Sequence, residues 1–291
     1  MKIAIASGKG GTGKTTVAAA LMSVWGSSAV AVDLDVEEPN LHLFLHPEIT
    51  DSIPAAMEIP IVDEEKCTYC RKCSDLCQFK AISVFGEVIM TFPEMCHGCG
   101  GCMLICPESA ITSGKRELGD ISIGTSLGMP FFMGRLRIGE AMSPPLMRAV
   151  LDVVEGRVGA KTCDIIIDAP PGVSCPAVTA AMECDAVVLV TEPTPFGVYD
   201  LKLAWEAFSK LGKPMGVVVN RAGIGDDGVY AFCRESKLDI LAEIPYERRI
   251  AEAYSRGDII TGVSPALKQT FESLASRIKQ FNQTVEESCH A

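Results

Sequence analysis

Eight residues near the start of the chain, Gly8-Lys9-Gly10-Gly11-Thr12-Gly13-Lys14-Thr15, fit the pattern G-x-x-x-x-G-K-S/T. They lie between a short apolar run, Ile3–Ala6, and a run that reads as a helix beginning near Lys14. A strand feeding a glycine turn into a helix N-terminus is the opening unit of an α/β sheet, so this segment rules out all-helical and all-β folds at once. Its chemistry follows from its shape. Glycines let successive backbone N–H groups turn inward around phosphate oxygens, and the helix N-terminus adds partial positive charge. Lys14 reaches the terminal phosphates and Thr15, with Thr16 behind it, offers a hydroxyl to Mg²⁺.

The rest of the chain agrees with that opening. Ala29–Val32, Ile165–Ile167, Ala186–Val190, Met215–Val219 and Ile240–Ile244 are short, continuously apolar runs of the kind buried on both faces of a parallel sheet. Amphipathic segments beginning near Pro144, Pro176, Val198 and Asp226 alternate with them, and Gly26, Gly156 and Gly212 read as helix ends. The expectation is a doubly wound, mostly parallel α/β sheet. Within Ser113–Ser143 only Ile121–Ile123 reads as a strand, and Gly124–Gly139 reads as a loop or short hairpin.

Thirteen cysteines in 291 residues need a separate explanation. No export signal is read in the opening residues, which points to the cytoplasm and makes metal ligation a better account than disulfides. Eight of the thirteen fall in one duplicated unit, where Cys67, Cys70, Cys73 and Cys77 recur 29 positions later as Cys96, Cys99, Cys102 and Cys106. A unit of this length cannot bury a core alone and needs what its cysteines bind. Two-residue gaps repeated twice set three thiolates on one face of a [4Fe–4S] cubane, whereas zinc sites separate their C-x₂-C pairs by a longer loop. The division expected is 1–57, 58–112 and 113–291, the middle piece being a two-cluster insert in an ATPase. The net charge of −11 argues against nucleic-acid partners, and no run reaches the about 18 apolar residues of a membrane span.

With its second lysine, Lys9-Gly10-Gly11-Thr12-Gly13-Lys14-Thr15 resembles the deviant Walker A motif of the MinD/ParA/Mrp/nitrogenase-iron-protein ATPases. The resemblance implies ATP-dependent pairing, as a homodimer or with a related ATPase, in which Lys9 reaches the partner's phosphates. Val32-Asp33-Leu34-Asp35 matches the family's first switch, so Asp35 is expected to act on the attacking water. Ile165-Ile166-Ile167-Asp168-Ala169-Pro170-Pro171-Gly172 is similar to its Walker B strand and second switch, with Asp168 holding Mg²⁺ through water. By the same resemblance Asn220, Arg221 and Pro245 border the adenine of ATP or ADP.

The cysteine unit resembles the two-cluster bacterial ferredoxins, in which the fourth cysteine of each run crosses to the other cluster. That implies one set of Cys67, Cys70, Cys73 and Cys106 and another of Cys96, Cys99, Cys102 and Cys77. One departure is that Pro107 follows Cys106 but Gln78 follows Cys77. Three functions are compatible with the two modules: an ATP-gated electron carrier serving a redox or metallocofactor-bearing partner, an ATP-dependent carrier for iron–sulfur or mixed-metal cofactors, and a positioning ATPase with structural clusters. Cys163, Cys184, Cys233 and Cys289 read as core or tail residues, and Cys175 stands apart as a cysteine just after the second switch. Leu267, Phe271, Leu274, Ile278 and Phe281 share one helical face, read as packing on the sheet.

Overall fold

A computed structural model describes residues 1–158 and 163–289, the side chains of 282–289 excepted. The elements in chain order are β1 (Lys2–Ala6), α1 (Lys14–Trp25), β2 (Ala29–Asp33), α2 (His42–Leu45), β3 (Glu48–Val62), α3 (Lys72–Leu76), β4 (Ile82–Phe85), β5 (Val88–Thr91), α4 (Gly101–Ile105), β6 (Ile111–Ser126) and β7 (Met129–Leu136). There follow α5 (Ser143–Val158), β8 (Asp164–Asp168), α6 (Cys175–Met182), β9 (Ala186–Thr191), α7 (Pro195–Phe208), β10 (Met215–Ala222), α8 (Gly228–Glu235), β11 (Asp239–Pro245), α9 (Arg248–Ser255) and α10 (Pro265–Cys289).

Among the described residues nine strands form one sheet in the order β11-β10-β9-β1-β8-β2-β7-β6-β3, in which β6 alone runs against the others. The expected doubly wound, mostly parallel architecture is present. Strand alternation explains why the apolar runs are unbroken. Along β1, Ile3 and Ile5 enter one core while Ala4 and Ala6 enter the other, and Ile166 of β8 lies opposite to Ile165 and Ile167. Each strand therefore stabilises two layers, at about 1.5–3 kcal/mol for each large aliphatic side chain buried. One layer is closed by α1 and α10, with Leu267, Phe271, Leu274 and Ile278 inside it as their spacing predicts. The other contains side chains of α5, α6, α7 and α8.

The sequence reading is incomplete at residues 113–143, where Ile121–Ile123 is part of a much longer strand, and it misses β3 just before the cysteines. Gly124–Gly139 does contain a hairpin, as one of the two readings had it, but β6 and β7 extend it from Gly119 to Leu136 inside the main sheet, and β3 pairs with β6 from Glu48 to Val62. The turn residues are Leu127 and Gly128, both left-handed at φ of 50° and 76°. Two such residues make the hairpin turn normally signalled by Asn-Gly, and a leucine in the first place conceals it. Gly124 is a close-approach position, where a Cβ would lie 2.3 Å from the carbonyl oxygen of Glu48. Gly156 lies within α5 and does not end it. β3 and β6 run without a break across 57/58 and 112/113.

Residues 63–110 carry their own small core of Cys73, Ile82, Val84 and Ile89, closed by Ile111, and a two-stranded sheet of β4 and β5. The duplication seen in the cysteines is also a duplication of backbone. Tyr69, Arg71 and Lys80 are left-handed, and so are Gly98, Gly100 and Ser109, each pair 29 positions apart. The residues preceding α3 and α4 match closely, Arg71 at φ 67°, ψ −5° and Gly100 at φ 69°, ψ −7°.

Candidate nucleotide site and cysteine centres

The phosphate loop leaves β1 and enters α1 through left-handed Gly11 and Gly13. Gly13 precedes α1 with no side-chain cap, so the first N–H groups of that helix have no side chain of the cap residue on them. Ser7 Oγ donates to the carbonyl of Lys9 at 2.8 Å and steadies the entry to the loop. Two close approaches fix the loop from outside. A Cβ on Gly8 would stand 2.1 Å from the carbonyl oxygen of Asp200, and one on Gly13 would stand 2.2 Å from Asn220 Nδ2. Gly10 has open space beside it, and Thr15 and Thr16 occupy the first turn of α1.

Lys14 is buried among carboxylates. Its Nζ bonds Asp168 Oδ1 and lies 3.9 Å from Asp35 Oδ2. Asp168 ends β8 and Asp33 ends β2, adjacent parallel strands in register, which brings the two switch segments side by side. Asp33, fully buried, accepts from the backbone N–H of Asp35 at 3.1 Å and of Leu41 at 2.9 Å, so it pins the 34–41 loop. Burial and the neighbouring Asp168 hold the Asp33 carboxyl well above the ordinary range. Burial likewise raises Asp35 to about 6, against the pull of Lys14. One lysine thus faces three carboxylates, an arrangement that favours a further cation.

Two buried polar atoms here lack partners, Asp168 Oδ2 and Thr12 Oγ1. The first suits a hydrated Mg²⁺ and the second a phosphate oxygen, so the residues fit both groups. Beside Asp35 a cleft of about 350 Å³ opens between Glu37, Glu38, Pro170, Pro171, Ser174 and Pro176.

Lys9 points inward to its own chain, 3.0 Å from Glu192 Oε1 and 3.6 Å from Asp200 Oδ2. Arg221 meets the other Glu192 oxygen at 2.7 Å. Sequence reasoning missed Glu192 and Asp200. The available signal was a carboxylate just past the C-terminal end of the buried strand β9, the position that identified Asp35 and Asp168. Asn220 donates from Nδ2 to the carbonyl of Thr12 at 2.8 Å, and Pro245 ends β11 opposite Ala222 beside it.

The eight cysteines line two cavities. Cys77, Cys96, Cys99 and Cys102 surround one of about 300 Å³, and Cys67, Cys70, Cys73 and Cys106 line a narrower one. In each set one exposed thiol, Cys99 or Cys70, reaches the surface, and one, Cys96 or Cys73, is buried. Backbone N–H groups of Gly98 and Ala110 donate to the sulfurs of Cys96 and Cys106 at 3.4 and 3.3 Å. Among the described residues no three His, Cys, Asp or Glu side chains converge as one metal ion requires. A mononuclear site draws its sulfurs to about 2.3 Å from one point, whereas a cubane takes each thiolate on a different iron. Four thiols around an open cavity fit the second description. Phe79 stacks on His97 at 3.4 Å beside the larger cavity.

Of the remaining cysteines, Cys184 and Cys233 are buried and Cys163 is half-buried, while Cys175 is exposed at the first residue of α6. The side chain of Cys289 lies outside the described residues. Among the described residues no helix is long and apolar enough to cross a membrane.

A phosphate loop between the first strand and helix of a mostly parallel sheet, with carboxylates ending the next two strands on one side, β8 and β2, defines a P-loop nucleotide-binding protein. Residues 3–260 match the CobQ/CobB/MinD/ParA nucleotide binding domain, and the chain belongs to that family. The fold is similar to that of the septum site-determining protein MinD complexed with Mg-ADP from Pyrococcus horikoshii, at a TM-score of 0.58, 23% identity and 95% coverage of each chain. An uncharacterized protein of Methanocaldococcus jannaschii, MJ0579, is 33% identical over 269 residues, spanning 89% of this chain and 90% of that one. Ferredoxin-1 of Chlorobaculum tepidum is 34% identical over 56 residues, which are 17% of this chain and 90% of the ferredoxin.

Proposed function

We propose that the protein is an ATP-hydrolysing iron–sulfur protein that couples nucleotide-driven switch movements to electron transfer toward a redox or metallocofactor-bearing partner. In this reading residues 1–57 and 113–291 form the ATPase, and 58–112 form a two-cluster ferredoxin unit. Mg²⁺ between Thr15 and Asp168 would supply charge neutralisation at the phosphates, and the two [4Fe–4S] clusters would supply low-potential one-electron chemistry. The chain's own residues do the rest. Lys14 gives up Asp168 for the terminal phosphates, Asp35 orients the attacking water, and Asp33 carries the movement of Asp35 to Leu41. Asn220, Arg221 and Pro245 border the base, and Lys9 exchanges Glu192 for a partner ATPase's nucleotide.

What most supports this reading is the strand continuity. β3 and β6 leave the cysteine region and enter, next to β7 and β2, the sheet whose strand ends carry Asp33 and Asp168. Movement at the switches is therefore transmitted along packed strands rather than a loose tether. Cluster delivery to an acceptor protein is the second reading, favoured by the exposed Cys70 and Cys99. Anaerobic EPR of the reduced protein with and without MgATP, repeated in Lys14→Ala, tests the first. A nucleotide-dependent change in the cluster signal, absent from the variant, is expected. Identical spectra in all four samples refute it, and intact transfer of a cluster to an apo-ferredoxin on ATP addition selects the second reading.

A further inference from the structure

Most charged residues sealed in the interior belong to the nucleotide site: Lys14, Asp33, Asp168 and Glu192. Arg116, on β6, is 7% exposed and lies two strands away from β2, the nearest strand that carries a residue of that site. Its guanidinium lies 3.3 Å from Glu140 Oε2, a side chain 2% exposed. Another of its nitrogens is 3.2 Å from the sulfur of Met57 on β3. The fit is incomplete, since Arg116 Nε and Glu140 Oε2 have no hydrogen-bond partners. A buried charge pair that is not fully satisfied adds little stability over apolar residues of the same size, so stability does not account for it.

The neighbours of this pair supply another account. Glu140 sits in the 137–142 connection between β7 and α5, and that connection is tied to the first switch at both ends. Leu136 N–H donates to the carbonyl of Val36 at 2.9 Å, and Ser143 Oγ donates to Glu37 Oε1 at 2.6 Å. On the other side, Met57 lies against the cysteine loop. A Cβ on Gly98, between Cys96 and Cys99, would stand 3.0 Å from Met57 Cε and 3.3 Å from the carbonyl of Glu58. A continuous series of contacts thus runs from Asp35 through Val36 and Glu37, the 136–143 segment, Glu140, Arg116 and Met57 to the loop of the larger cysteine cavity.

We infer that Arg116 is a positioning residue: through Glu140 and Met57 it sets the 96–100 loop according to the state of the first switch. This rests on the ATP-gated reading above and names the connection by which that reading works. The underused hydrogen-bonding capacity suits the role, because a pair with free donor and acceptor atoms can take a second arrangement when the 136–143 segment shifts. Of the two centres, the one held by Cys77, Cys96, Cys99 and Cys102 is the one that responds. The duplicated position of Gly98 is Tyr69, which packs against the small core of the cysteine region, and the lining of the other cavity comes from 67–73, Val84, Ile89, Cys106, Glu108 and Ile111.

The test is hydrogen–deuterium exchange of the full-length, anaerobically reconstituted protein with and without MgATP. Wild type is expected to change its exchange rate in 95–100 by about fivefold or more on MgATP addition, the lower end of ordinary site-to-site coupling. The double variant Arg116→Met/Glu140→Gln replaces the charge pair while keeping the Glu140 acceptor for the N–H groups of Ala141 and Met142. It is expected to bind ATP with unchanged affinity, to protect 34–41 as wild type does, and to lose the response in 95–100. Met57→Leu, which keeps the volume and removes the sulfur, is expected to lose it as well. A full response in a variant that binds ATP normally overturns the inference and leaves the ATP-gated reading intact. No response in wild type at either cysteine loop overturns both.

Discussion

Replacing Asp35 by asparagine is expected to stabilise the nucleotide-free protein at neutral pH while abolishing hydrolysis. Asp35 titrates near 6 rather than 3.8, chiefly because it is buried and secondarily because Asp168 lies close, with Lys14 opposing. A folded-state value above the unfolded one means that the native state holds the proton more tightly. The stability this proton confers is complete below about 3.8 and is lost as pH rises through about 6. Above that, the ionised, poorly solvated carboxylate opposes folding. Two units correspond to about 3 kcal/mol at 1.36 kcal/mol per unit, and partial solvent access at the cleft reduces this to about 1–2 kcal/mol. Urea unfolding of wild type and Asp35→Asn without nucleotide, at pH 4.5 to 8, measures it. The variant's advantage is expected to grow between about pH 4 and 6 and then level off. An advantage independent of pH, or a variant less stable than wild type at pH 7.5, refutes the claim that burial without a cation is what strains this site.

Gly13→Ala is expected to abolish nucleotide binding in calorimetry, since its Cβ would collide with Asn220 at 2.2 Å in a left-handed backbone, φ +89°. Asn220→Ala removes one hydrogen bond to the phosphate loop, at about 1 kcal/mol, and is expected to weaken ATP roughly fivefold with the fold intact, read by titration and circular dichroism. If the cysteine sets cross as their cavities do, Cys77→Ser and Cys99→Ser are expected to leave the same surviving EPR signal on reduction. A Cys77→Ser spectrum matching that of Cys70→Ser would show that they do not.

The sheet was legible because its strands are buried on both faces and carry no polar interruption, as in Ile165–Ile167 or Ala186–Val190, and because glycine and lysine at the phosphate loop admit few other uses. What escaped were the three strands on one side of it, β7, β6 and the edge strand β3. β6 carries Lys115, Arg116, Glu117 and Asp120 among its apolar residues, and its turn uses Leu127 where Asn or Asp would have declared a hairpin. A strand of an antiparallel pair needs only one covered face, so its residues look like a loop. At the site, the carboxylates ending strands were readable from their position together with the family resemblance, but the inward hold on Lys9 was not. Glu192 follows β9 and Asp200 lies in α7, and only the folded chain brings them to a loop some 190 residues earlier. The grouping of the cysteines around two cavities is the one the ferredoxin resemblance implies; the approach of the 96–100 loop to β3 was not legible, because Met57 and Gly98 are 41 positions apart.

The two halves of the cysteine unit share a backbone but meet it with different residues, and the difference has a measurable cost. Arg71 and Gly100 have the same left-handed conformation within 2° in φ and ψ. That conformation costs a side-chain-bearing residue about 1–2 kcal/mol, and glycine adopts it freely but surrenders about 0.5–1 kcal/mol more chain entropy on folding. Arg71→Gly is therefore expected to stabilise the protein by about 0.5–1 kcal/mol, and Gly100→Ala to destabilise it by a similar amount. Sterics do not confuse the second measurement, since the nearest atom to a Cβ at Gly100 is Met103 Cε at 3.9 Å. In a chain of this size the shifts amount to about 1–4 °C in opposite directions in a thermal melt of the reconstituted protein. Shifts of the same sign would mean that the Arg71 side chain makes contacts whose loss outweighs the backbone strain, and the symmetry would then hold in geometry but not in energy.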